Sequence, residues 1–210
     1  MNNSLIHILH SISQGLLIPV IITLYLFLAI SLVELGSFLI EIFHKRKISA
    51  KKMLEALRQK KDTAQTLQAF ISDGKLPQRA KRILITYLDA NTQASNREIL
   101  RKKLIETEEI KAAKVLEPTD IIAKLGPLVG LMGTLIPLGP GLTALANGDI
   151  KLLAQSISVA FDNTLIGMAS AGICYFISRV RRRWYQEYIL VLEDLLEIAG
   201  EVKQTEKSAV

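Results

Sequence analysis

The chain has 210 residues, half of them hydrophobic, with 22% charged and a net charge of +6. The charged residues are segregated between long uncharged runs, which excludes an ordinary soluble domain and points to an integral membrane protein. Its one cysteine, Cys174, excludes an internal disulfide framework and any multi-Cys metal site; inside an apolar run it reads as a small buried hydrophobe.

Taken in order, residues 1–15 form a short N-terminus without Lys or Arg. An apolar run follows and predicts a first membrane helix over 16–40, about the 20 residues that a span requires. No basic n-region or small-residue cleavage site marks it as a cleaved signal. Pro19 lies near its start, where a missing N–H does least harm. Glu34 reads either as a carboxylate at one end of the span or as an intramembrane acid, since ionisable groups at depth are expensive and often functional.

His44-Lys45-Arg46-Lys47 ends this helix. Residues 44–120 hold 18 of the 26 Lys and Arg, and 179–210 hold six. By the positive-inside rule these two segments are cytoplasmic, and the N-terminus and the turn at 147–151 lie outside. The basic balance is thereby accounted for by topology, and nucleic acid is not an expected partner.

The insert 41–120 is expected to be helical. Ser49 can cap a segment through Met53, Leu54 and Leu57. A second stretch, Leu67, Phe70, Ile71, stops at Gly74. Pro77 opens a helix carrying Ile83, Leu84, Tyr87 and Leu88, which Asn91 closes. Ser95 or Asn96 can cap a longer, heavily charged helix laced by i,i+4 pairs. No catalytic constellation or phosphate-binding loop occurs here, and His7, His10 and His44 have no zinc-ligand spacing. The chain is therefore not expected to be an enzyme, nor to hold a metal or a cofactor.

A second span is predicted over 121–146 and a third over 152–178, joined by the turn. In the second, Gly126, Gly130, Gly133 or Thr134, Pro137 and Gly141 recur at three or four residues and make a narrow strip that permits close helix approach. Pro137 and Pro140 should loosen the half near the turn, and the carbonyls they free need protein or water as partners because lipid offers none. In the third, Ser156, Ala160, Thr164, Gly167 and Ala171 form a matching strip. Two such strips fit either contact with further copies around a wet lumen or simple packing inside one monomer. Asp162 stands about 200° round the helix from Thr164 and should be neutral, hydrated or paired, with Asn163, a neighbouring hydroxyl or Lys151 as partner. After the arginines at 179–183, Trp184, Tyr188, Val191, Leu195, Ile198 and Val202 form a heptad stripe that should pack on the insert or on a neighbouring subunit. Lipid headgroup contact suits the arginines.

Gly126-Pro127-Leu128-Val129-Gly130-Leu131-Met132-Gly133-Thr134 and Asn163-Thr164-Leu165-Ile166-Gly167-Met168 resemble the second- and third-span motifs of the ExbB/TolQ/MotA proton-channel family, in its ExbB/TolQ branch. The three-span layout with a large first loop is similar too. The resemblance implies an all-α, ring-forming subunit, a homo-oligomer and specifically a pentamer. It implies a single-span ExbD/TolR-like partner in the pore whose aspartate carries protons. It places the chain in the cell inner membrane, and it implies that Thr134 and Thr164 face the pore. Asp162 and Ser156 are further candidates for the proton pathway, and Gly126, Gly130, Gly133, Gly167 and Ala171 for the packing strip. The chain departs from the family pattern at Leu135 to Gly141, where two prolines occur, and at Val159, where relatives often carry an acid. The expected function is a proton-driven motor serving the cell envelope. The alternative is a non-conducting membrane scaffold that anchors a partner.

Overall fold

The computed structural model describes residues 8, 11–45, 78–89 and 94–208. Four helices are described: α1 (Leu17–Lys45), α2 (Gln78–Asp89), α3 (Ala94–Ala146) and α4 (Ile150–Ser208). Residues 11–15, also helical, precede α1. The expectations for Ser49 to Gly74, for Pro77 and Asn91, and for His7 and His10 fall outside the described residues.

Three stretches are long and apolar enough to cross a membrane: Ser11–Phe43, Asn96–Ala146 and Ile150–Glu201. All three are longer than the spans expected from hydropathy, the second and third by the most. The charged helix beginning at Ala94 runs into the apolar run through Pro118 without a break. The apolar run of α4 continues through Arg179–Arg183 to Ser208. Charge marks where a helix leaves lipid, not where its backbone hydrogen bonds stop.

The residues divide into two compact units, Met1–Glu41 with Leu116–Val180, and Ile42–Val115 with Arg181–Val210. In the first, α1 lies against the α3–α4 hairpin. Val20 and Leu24 pack on Ile136, Phe27 packs with Ile122 and Cys174, and Phe38 meets Phe176 edge to face at 6.0 Å. Cys174 is fully buried. Glu34 is half-buried and does not lack a partner. Bulky side chains such as Ile22, Val33, Leu128, Leu135, Phe161 and Leu165 point outward, as expected where lipid is the solvent.

In the second unit, Ala80, Leu84 and Tyr87 of α2 form a core with Leu192, Leu195, Leu196 and Ala199 of α4. Leu100, Leu104 and Ile105 of α3 close it. The C-terminal stripe thus packs on the insert of its own chain. Its fully buried line is Leu192, Leu195, Leu196 and Ala199, while Tyr188, Val191 and Ile198 flank it.

The turn between α3 and α4 is only three residues long. Gly148 adopts φ +79°, the one non-helical conformation needed to reverse the chain. Asp149 N–H reaches back to Ala144 O at 2.9 Å and Gly148 N–H to Leu145 O at 3.0 Å, a Schellman termination. Asp149 then caps α4, its Oδ1 accepting from Leu152 N–H at 3.0 Å.

Candidate functional site

Because the turn is tight, α3 and α4 run antiparallel in contact, and their small residues decide how closely. A Cβ placed on Gly126 would stand 2.9 Å from both Ala171 Cβ and Gly167 O. One on Gly167 would stand 2.7 Å from Gly126 O and 2.9 Å from Gly130 Cα. Both are contacts with backbone, which cannot swing aside. Gly133 meets Asn163, and Gly141 meets Ser156. The two strips therefore face each other within one chain. Of the two expectations for these strips, packing inside the monomer describes the Gly126–Gly130–Gly133 and Gly167–Ala171 faces, which leave no gap for a second copy or for water.

Asn163, rather than Thr164, occupies the middle of the α4 strip. Its side chain is 6% exposed, and Nδ2 donates to Gly133 O at 2.8 Å. Gly133 O is the acceptor that the N–H of residue 137 would use in a regular helix, and residue 137 is proline. The same substitution recurs one turn on. Pro140 frees Ile136 O, and Gln14 Nε2 from the helical segment before α1 donates to it at 3.4 Å. The freed carbonyls near the turn are satisfied by protein, as lipid solvation requires. Sequence reasoning weighed Asn163 only as a partner for Asp162. The signal that could have found its role was a buried-face amide in one span and an interior proline in the other.

Thr134 and Thr164 both lie at the margin of this seam, partly exposed. Each follows directly on one member of the Gly133–Asn163 contact, so in antiparallel helices they stand at about the same level, within roughly 3 Å along the axis. Both hydroxyls donate to their own helix, Thr134 Oγ1 to Leu131 O at 2.7 Å and Thr164 Oγ1 to Ala160 O at 3.1 Å. With the proton directed inward, each threonine presents oxygen lone pairs outward: a weak acceptor without charge.

The other candidates are dispersed. Ser156 is buried against Gly141, inside the hairpin. Asp162 is exposed beside Phe161, with Val159 and Leu165 also exposed on neighbouring turns. Glu34 lies on α1, and neither acid shares the threonines' place at the seam. At the far end of the hairpin from the turn, the Ser178 hydroxyl donates to Asp120. Thr119, fully buried, bonds Leu116 O. No group of three or more His, Cys, Asp or Glu side chains that could hold a metal occurs among the described residues.

No curated protein matches the chain. The MotA/TolQ/ExbB proton channel family matches over residues 45–194, which includes the whole hairpin. With three membrane-length apolar helices and that match over most of its length, the chain is a multi-pass membrane protein and belongs to the MotA/TolQ/ExbB proton channel family.

Proposed function

We propose that the chain is the ring-forming subunit of a proton-driven inner-membrane motor of the ExbB/TolQ kind, a pentamer around a single-span ExbD/TolR-like partner. Its N-terminus lies outside and its C-terminus in the cytoplasm. Its work is transport and force, not covalent catalysis. The observation that carries this reading is the level placement of Thr134 and Thr164 at the margin of a hairpin whose other small faces are already filled.

An uncharged hydroxyl oxygen can accept a hydrogen bond from a protonated carboxyl on a passing partner without holding its ionised form, so the partner can move on. Each proton crossing 100 mV supplies about 2.3 kcal/mol to such a step. Asp162 stands on another face of α4 from Thr164. Its charge costs at least about 2.5 kcal/mol in hydrocarbon, so in a ring its exposed face is turned to a neighbouring subunit rather than to lipid.

Native mass spectrometry of the chain co-expressed with its single-span partner tests the assembly. A fivefold mass gaining two partner copies is expected, and a monomer or dimer alone sinks the ring. Thr164→Val then separates a motor from a scaffold. In proteoliposomes a motor loses at least about tenfold in proton flux, or about 1.4 kcal/mol of barrier. A scaffold retains partner binding and shows no flux to lose.

A further inference from the structure

We propose that Asn163 is a positioning residue whose side-chain amide replaces the backbone N–H missing at Pro137, and so sets the rotation of α4 that holds Thr164 at the seam margin. This rests on the reading of the two threonines as the proton path. Three observations converge on it. Pro137 removes the donor for Gly133 O, Asn163 Nδ2 supplies one at 2.8 Å, and the amide is buried. Only the nitrogen of that amide can donate to a carbonyl, so its orientation is chemically determined.

The bond is also directional. The glycine seam sets how closely α4 approaches but carries no directional bond of its own. One amide bound to one identified carbonyl does. It fixes residue 163 against residue 133, and thereby the next residue of each helix, Thr164 and Thr134, at a common level. Gln14 performs the equivalent service for Pro140 from outside the hairpin, at the longer distance of 3.4 Å. Its bond tethers the segment before α1 to Ile136 O; across the hairpin, Asn163 fixes α4 at the level of the threonines, and Ser178, donating to Asp120, does so only at the far end.

The test is a double-mutant cycle in the full chain, because any residue other than proline at 137 restores the N–H and makes the amide redundant. Asn163→Ala keeps the Cβ that faces Gly133 and removes the amide that carries the donor, so the Pro137 background separates loss of the bond from loss of packing. Three quantities are read in each background: melting midpoint in detergent and proton flux with Thr164 intact, and, in a parallel Thr164→Cys series, the maleimide alkylation rate at 164 resolved by peptide mass from buried Cys174. With Pro137 present, Asn163→Ala is expected to lower the midpoint by about 5 °C, to change alkylation at 164 severalfold and to reduce flux. With Pro137→Ala, or Pro137→Leu should the first not accumulate, the same substitution is expected to leave all three nearly unchanged. Equal effects in both backgrounds overturn the proposal. So does a lowered midpoint with unaltered alkylation at 164, which reduces Asn163 to a structural contact. Absence of flux in the unsubstituted protein would overturn the motor reading instead, and the alkylation and melting cycles would still decide the role of Asn163.

Discussion

The α3–α4 hairpin and the small bundle around Leu196 share two helices, the bundle adding α2, yet they cohere by different physics. In the bundle, Leu84, Leu192, Leu195 and Leu196 bury bulky side chains while Glu98, Lys102, Arg183 and Glu187 stay exposed. Withdrawal of apolar area from water drives this packing. In the hairpin, leucines face outward and glycines face inward. Lipid tails are as apolar as leucine, so burying leucine there gains little. Cohesion has to come from close backbone approach and from hydrogen bonds. The difference teaches that along a single helix the meaning of a leucine reverses where the solvent changes.

Breaking the comparison at its strongest point means adding one methyl group. Gly167→Ala brings a Cβ within 2.7 Å of Gly126 O and 2.9 Å of Gly130 Cα. The hairpin must open, and the variant is expected to lose folded protein altogether in a detergent unfolding assay. Gly172→Ala, five residues along the same helix with nothing within 4 Å, is expected to unfold like the unsubstituted chain or slightly later. Equal behaviour of the two variants would refute the close-contact account.

In the bundle the corresponding change removes atoms. Leu196→Ala, at a fully buried site, is expected to cost about 2–5 kcal/mol, measured as a fall in the melting transition of the unit that contains it. The same truncation at outward-facing Leu135 of the hairpin should cost much less. That contrast sharpens the claim that leucine stabilises one region and merely solvates the other.

Tyr188 gives a smaller, pH-dependent effect. Its hydroxyl is buried with no hydrogen-bond partner among the described residues. Burial pushes its phenol up to about 12, the nearby Glu108 adds to this, and Arg79 opposes it. A raised phenol favours the neutral form in the folded state. The stability it contributes is complete below pH 10 and is lost as pH rises towards 12, where the unfolded chain can ionise first. Tyr188→Phe should be neutral or mildly stabilising near pH 7 and should flatten that alkaline decline in a melting series. An unchanged alkaline slope would exclude Tyr188 as its source. Smallest of all, Glu187→Ala removes an exposed pair with Arg183 at 3.3 Å and should shift bundle stability by less than about 1 kcal/mol.

Local patterns were readable where the physics is local. Hydropathy located three spans, Lys and Arg placement suggested an orientation, and the three-to-four-residue recurrence of glycine identified the strip on α3. The period also indicated a strip on α4, but its centre is Asn163 and not Thr164, because spacings of three and four both satisfy 3.6 residues per turn. The turn after Ala146 was expected from its composition, whereas its Schellman end at Gly148 and its aspartate cap at Asp149, also present in the residue types, were not.

What the sequence by itself determined is the solvent of each segment and the membership in a proton channel family, because both depend on the composition and order of nearby residues. Tertiary structure alone decided that the glycine strips of α3 and α4 close on each other within one chain. It alone decided that the carbonyls freed by Pro137 and Pro140 are claimed by Asn163 and Gln14, 30 and 122 residues away from their acceptors. A proline announces that a carbonyl needs a donor. Which side chain supplies it depends on which helices meet at that level, and that is a property of the packed molecule.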